Sequence, residues 1–242
     1  MTIAGITFDF WNTLYTDRRD GSSDAARTKR LAALGRAVEE CGGSADPELL
    51  AEANRSGFAA YVAEWRSGRH YGAREHVLHV LEAFGLSSRD GTVHRIAAEI
   101  EDLGAQADLV LLPGAAEAIP RLAEAGIRLG LISDTGLTPG RILVSFLEND
   151  DLLRHFSTLT FSDITGYPKP DPRMFTATLA GMGVEPGRAM HVGDTPRTDI
   201  AGALRMGMRA VRFAAANDVD EPPPAHAVIC DHTELMALAG VG

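Results

Sequence analysis

The sequence predicts an α/β fold: a three-layer α/β/α core around a parallel sheet, with a helical insert near its start. Two observations predict it. Beyond residue 108, short apolar runs with strand character alternate with amphipathic helical segments, the pattern of a parallel sheet covered on both faces. Between about 24 and 107 there are four consecutive helical patterns and no strand, so this stretch forms a unit of its own. The predicted division is residues 1–16 and 108–242 for the core and 17–107 for the insert.

The elements follow in order. "IAGITF" (3–8) is a buried strand ending at Asp9. In the insert, "DAARTKRLAALGRAVEECGG" has helical spacing and stops on paired glycines. "DPELLAEANRSGFAAYVAEW" starts with Asp46 as N-cap and Pro47 at the first helical position. "GAREHVLHVLEAFG" and "SSRDGTVHRIAAEIEDLGAQ" hold two more helices. After "LLPG", the helix "AAEAIPRLAEAG" leads to the strand "IRLGLIS", and the helix in "GRILVSFLENDDLLRHF" to the strand "STLTFS". "DPRMFTATLAGMG" and "DIAGALRMG" are helices flanking the strand "AMHVGD". "RAVRFA" and "HAVICD" are the last strands, before a closing helix. The core is thus Rossmann-like, and its site is expected beyond the carboxyl ends of the strands.

Composition narrows the function classes. The chain has 242 residues, 45% of them hydrophobic, with a formal net charge of −10 and no basic run. That balance argues against nucleic acid as the main partner. No apolar stretch reaches the roughly 20 residues of a membrane span. The N-terminus has no secretory-signal pattern. Cys41 and Cys230 fit no metal spacing and read as reduced thiols of a cytoplasmic protein.

Polar residues gather at the strand ends. Strand one delivers Asp9. "LGLIS" delivers Ser133, followed by Asp134, and "AMHVG" delivers Asp194, with Asp199 at the next helix. The loop "GYPKPDP" offers Lys169 between two prolines. Carboxylates with one lysine and one hydroxyl suit a hard cation and a phosphoryl group. Mg²⁺ takes oxygen ligands and keeps several waters, so one or two carboxylates and a carbonyl suffice. An aspartate can then serve as covalent nucleophile. Alternatives stay open here: Asp199 also suits a helix N-terminus, where the macrodipole favours an acid. Lys169 also reads as a solvated loop lysine and Ser133 as a turn residue.

"ITFDFWNTL", "LGLISDTG", "GYPKPDPRMF" and "HVGDTPRTD" resemble, in order, the four motifs of the haloacid dehalogenase superfamily of hydrolases. The position of the insert resembles the subgroup with a helical cap. The resemblance implies that Asp9 is nucleophile and metal ligand, with the main-chain carbonyl of Trp11 a second ligand. Thr13 and Ser133 would contact the phosphoryl group, and Lys169 would balance the charges of Asp9 and phosphate. Asp194 would ligate Mg²⁺ and Asp199 would support it. Asp134 stands where members commonly have Asn and is assigned to the substrate side. The implied substrate is a small phosphate monoester.

Trp11 departs from the pattern. Phosphatases of this family usually carry a second aspartate there, which protonates the leaving group. An indole donates only and cannot act as acid or base near neutral pH. Such acid–base catalysis is worth about 10²–10⁴-fold. Three readings follow: a phosphatase without its usual acid, a dehalogenase-like hydrolase whose halide needs no proton, or a binding module with little turnover. The pair Asp194 and Asp199 keeps the metal half of the site and favours the first. In the insert, "EWRSGRHYGAREH" (64–76) reads either as a solvated basic turn or as a substrate-recognising edge in which Arg69 grips an anion and His70 or His76 supplies the missing proton. "TDRRDGSSD" (16–24) and residues 105–113 are the expected hinges.

Overall fold

The structure, a computed structural model, describes residues 2–18 and 24–241. It divides into two compact units. One comprises Met1–Thr16, Leu109–Asp134 and Val144–Gly242; the other comprises Asp17–Asp108 and Thr135–Leu143.

In chain order the elements are strands β1 (Gly5–Phe8) and β2 (Tyr15–Asp17), and helices α1 (Asp24–Glu40), α2 (Pro47–Arg66), α3 (Ala73–Ala83) and α4 (Asp90–Asp102). Then come β3 (Leu109–Leu111), α5 (Ala115–Glu124), β4 (Arg128–Ser133), α6 (Gly140–Asn149), β5 (Phe156–Phe161), α7 (Ser162–Thr165), α8 (Pro172–Met182) and β6 (Ala189–Gly193). The chain closes with α9 (Ala201–Arg205), β7 (Arg209–Phe213), β8 (Ala227–Ile229) and α10 (Leu235–Ala239).

The first unit holds a six-stranded sheet in the order β5-β4-β1-β6-β7-β8, every adjacent pair parallel. β1 lies between β4 and β6, and all four of its residues are buried, as a strand covered on both faces requires. Its side chains alternate between the two covering layers. Thr7 pairs in register with His191, whose ring lies 5.2 Å from Phe175 of α8. Phe8 points the other way, towards Phe156 and His232. One apolar layer joins Ile132, Met174, Phe175, Leu179, Ile200 and Ala203. On one side of β1, β4 leads to Ser133, and on the other β6 leads to Asp194, so the strand order changes direction where Asp9 emerges. That is the crevice position of an open parallel sheet.

The second unit packs α1, α2, α3 and α4 around Leu34, Val77, Val80, Leu81, Ile96 and Ile100. α2 starts as its sequence predicts: the Asp46 carboxylate accepts from the N–H groups of Glu48 and Leu49, ahead of Pro47. This unit also takes in residues 135–143, which the sequence reading placed in the core. Leu137 belongs to the unit's apolar cluster, Thr138 accepts a hydrogen bond from Arg30, and Arg141 pairs with Glu101 and Asp102.

β2 and β3 form a second, two-stranded sheet. Three-residue strands are too short to show a period of two, so the sequence reading took both stretches as connections. Of the first expected hinge, residues 19–23 lie outside the described residues. No helix among the described residues is long and apolar enough to cross a membrane.

Candidate active site

Asp9 leaves the end of β1 with its N–H bonded to the Val192 carbonyl at 2.9 Å, so the sheet itself fixes where the carboxylate starts. The chain then turns sharply. The Phe10 carbonyl accepts from the N–H groups of Leu14 and Tyr15, and Asn12, at φ 55°, donates to the Tyr15 carbonyl. Asn tolerates this left-handed conformation better than most residues. The Trp11 carbonyl is not one of the acceptors in this turn. Its indole is half-buried and meets the Phe10 ring edge-on at 5.1 Å. Thr13 Oγ1 lies 3.4 Å from Asp9 Oδ2.

Lys169 is the hub. Its Nζ donates to Asp9 Oδ1 at 2.5 Å, Asp199 Oδ1 at 2.7 Å and the Ile132 carbonyl at 2.9 Å. These partners use all three ammonium protons. Lys169 is 2% exposed, so the solvated-loop reading is excluded. Its main-chain N–H donates to Asp134 Oδ1 at 2.7 Å. Asp134, expected on the substrate side, is therefore using one oxygen to pin the lysine loop. Ser133 is fully buried at the end of β4, one residue after the carbonyl that Lys169 binds.

Asp194 follows β6. Its Oδ1 accepts from Thr195 Oγ1 at 3.0 Å and its Oδ2 from Asn217 Nδ2 at 2.8 Å. Asp199 lies on a single π-helical turn, Pro196–Ile200. Such turns recur at functional sites. Gly193 makes room for it: a Cβ there would stand 2.3 Å from Asp199 Cγ. Asp199 Oδ1 accepts from both Lys169 and His191, and Oδ2 from the Thr195 N–H at 3.0 Å.

The electrostatics are those of a buried cluster with too much negative charge. Burial, then the charges of Asp199 and Asp194, pushes the Asp9 carboxyl well above its usual range, against the opposing pull of Lys169. Asp194 is raised by burial and by Asp199. Burial also opposes ionisation of Asp199, but the Lys169 charge and the His191 hydrogen bond hold it below the usual range. For Lys169, burial opposes the ammonium, and Asp199, Asp9 and Asp134 more than reverse that. His191 is pushed down by burial and sits as a neutral ring between Thr7 Oγ1 and Asp199.

Two of the three carboxylates, Asp9 and Asp199, therefore share one ammonium, with Asp194 beside them. Asp9, Asp194 and Asp199 each offer an oxygen within 4.8 Å of the others, a set that can hold a metal ion. A hard divalent cation fits this donor set on two counts: all donors are oxygens, and the surplus buried charge is costly without it. Within the set the carboxylates differ. Asp199 is saturated by Lys169, His191 and Thr195, whereas Asp9 and Asp194 retain lone pairs for a ligand.

Of the residues read from the sequence, Asp9, Thr13, Ser133, Lys169, Asp194 and Asp199 are buried at the expected ends of the sheet. Arg69 lies in the helical unit, two-thirds exposed, with its guanidinium paired to Glu64. His76 is fully buried, its Nε2 faces Asn54 Oδ1 at 2.9 Å, and burial lowers it to about 4, which disfavours the imidazolium a general acid would need. Three residues escaped the sequence reading: Thr7, His191 and Asn217. The first two left a signal, since a polar residue inside each of two apolar strands, "ITF" and "MHV", needs a buried partner. Asn217, on an irregular loop, left none.

The family model for haloacid dehalogenase-like hydrolases matches residues 3–207. The chain belongs to that family. It is 37% identical to a glyceraldehyde 3-phosphate phosphatase of Pyrococcus abyssi over 102 residues, 42% of each chain. It is 28% identical to a ribulose-1,5-bisphosphate 5-phosphatase of Halopiger xanaduensis over 223 residues, 89% of this chain and 86% of the other. The alignments with the first curated relatives span about half of those proteins' length. Among solved structures, a 2-haloacid dehalogenase from Pseudomonas syringae pv. Tomato DC3000 superposes with TM-score 0.70 at 24% identity over 98% of both chains. A HAD phosphatase from Thermococcus onnurineus gives 0.64 at 22% identity, again over 98% of both. These two likenesses share the fold.

Proposed function

We propose that the chain is a Mg²⁺-dependent phosphatase acting on a small phosphate monoester in the cytoplasm, with Asp9 as nucleophile and the helical unit as cap. The observation that carries this reading is the buried set of three carboxylates, two of them on the Lys169 ammonium and the third beside them, an arrangement that suits a cation. The names of the two phosphatase relatives agree with it.

Asp9, the Trp11 carbonyl and Asp194 would hold Mg²⁺, with Asp199 supporting the site through Lys169. Bound there, the cation supplies charge neutralisation at the phosphoryl oxygens. Lys169 engages Asp9 Oδ1, which leaves Oδ2 to attack phosphorus. The P–O bond to the leaving group breaks as the Asp9–phosphorus bond forms, giving an aspartyl-phosphate. Water then attacks the acyl-phosphate, and inorganic phosphate leaves with the Asp9 carboxylate restored. Ser133 and Thr13 would hold the phosphoryl oxygens.

No carboxyl stands at position 11 to protonate the leaving oxygen. The enzyme should therefore prefer substrates whose leaving group departs as a stable anion. The test is phosphate release from an aryl phosphate and a panel of metabolites with Mg²⁺, for the wild type and Asp9→Asn. Absent activity, or activity unchanged by Asp9→Asn, refutes the covalent reading.

The same missing acid favours a second reading, displacement of halide from a 2-haloacid, which needs no proton on the leaving atom. Halide release without metal, and no phosphate release with it, would decide for that reading.

A further inference from the structure

Asp194 is fixed by a residue outside all four motifs. Asn217 belongs to the irregular stretch after β7, yet its amide reaches Asp194 Oδ2 at 2.8 Å. With Thr195 on Oδ1, each carboxylate oxygen accepts one protein donor, which sets the plane of the group. A loop needs an anchor to place an amide so closely, and one is present. Arg212 of β7 pairs in register with Gly193, the residue before Asp194. Its guanidinium is 8% exposed and donates to Asp218 Oδ1 at 2.7 Å. The other acidic neighbour, Asp220, is 3.9 Å away and 97% exposed. At the base of the loop, the Ala214 N–H bonds to the Ile229 carbonyl at 2.8 Å.

We infer that Asn217 is a positioning residue for a divalent cation at Asp194, and that the ion pair between the buried Arg212 and the exposed Asp218 holds the loop that presents it. The chemistry is that of a neutral donor on the far oxygen of a metal-binding carboxylate: it fixes orientation without competing for the ion. Partners of this kind typically change metal affinity by about 10–100-fold. The inference rests on the metal-dependent reading above.

Binding is measured by titrating the purified full-length chain with Mn²⁺, as a stand-in for Mg²⁺, by calorimetry. Asn217→Ala should weaken Mn²⁺ binding by about 10-fold or more. Asp218→Asn should weaken it by several-fold through loss of the Arg212 anchor. Asp220→Asn removes the same formal charge from the same loop and should leave binding within about twofold, because its contact with Arg212 is long and almost fully exposed. Asp218→Asn alters an exposed side chain, so it reports even if Asn217→Ala folds poorly. Wild-type binding with Asn217→Ala unchanged overturns this inference alone. Equal effects of Asp218→Asn and Asp220→Asn would overturn the anchor and leave only a charge effect. A wild type that binds neither Mn²⁺ nor Mg²⁺ overturns the metal reading and this inference together.

Discussion

Each unit buries a histidine completely, and the two are buried at different kinds of cost. His191, in the sheet unit, touches Thr7 and Asp199, and through Asp199 it joins a cluster of three carboxylates and Lys169. His76, in the helical unit, has neutral hydrogen-bond and ring partners, although the Arg30 charge also helps to lower it. Asn54 Oδ1 sits 2.9 Å from Nε2, the Tyr71 hydroxyl 3.5 Å from Nδ1, and the Phe58 ring 4.9 Å away. Gly57 lies so close that a Cβ would approach His76 Cε1 to 2.6 Å. The helical site is closed and satisfied without charge. The sheet site gathers three carboxylates around one lysine ammonium, an excess of acids over bases among these groups. A buried histidine therefore says little by itself; the surplus charge around it is what points to chemistry.

The largest effect that would break this contrast is on turnover. Asp9→Asn should lower phosphate release by at least about 10³-fold, yet it should not lower the melting temperature, because it removes one of three mutually repelling carboxylates. A variant both inactive and strongly destabilised would show that Asp9 is a structural acid. Lys169→Met should cost about 3–5 kcal/mol, since it leaves Asp9 and Asp199 buried without their counter-charge. Urea denaturation measures this, and a loss under about 1 kcal/mol would contradict the charge picture.

Acidification should act oppositely on the buried histidines and on the site carboxylates. His76 and His232 are both lowered to about 4 by burial. Their folded values lie below the unfolded one, so their contribution is complete above about pH 6.5 and declines as pH falls towards 4, by up to roughly 3 kcal/mol each. Asp9 and Asp194 are raised, so the folded state takes up their protons first and gains stability as pH falls through their folded values. Denaturation midpoints of His76→Leu between pH 7 and 4 check the first part: the curve should be flatter than wild type. An equally steep curve would remove His76 as a cause. The smallest effect concerns the neutral site itself. Asn54→Ala should cost about 1–3 kcal/mol, the penalty for an unpaired buried ring nitrogen, with no change in metal binding. A change in metal binding would contradict the separation drawn between the regions.

The parts that were legible in the sequence share a physical basis. Strand ends are marked by a change from apolar to polar residues, and Asp9, Ser133 and Asp194 each follow such a run. Lys169 was legible through its prolines and is buried as that context implied. What the sequence hid depends on pairing across the chain. Thr7 meets His191 only because β1 and β6 lie side by side in a given register. Asn217 reaches Asp194 from a loop 23 residues away. Residues 135–143 join the helices through Leu137, Thr138 and Arg141, single side chains in a loop and the first turn of α6 whose pattern does not name their partners. Arg69, read from the sequence either as part of a solvated basic turn or as an anion-gripping edge, pairs with Glu64 five residues earlier, a partner that the basic cluster alone does not reveal.

One consequence of the saturated lysine concerns timing. With three protons and three acceptors, the Lys169 ammonium can greet a newcomer only by releasing a partner. The Ile132 carbonyl belongs to the sheet, and Asp199 is tethered by His191 and Thr195 as well. Asp9 is the partner with the fewest other ties. On the proposed mechanism, an arriving anion that claims this lysine would loosen the grip on Asp9, so the nucleophile would be unleashed by the very group it is to attack.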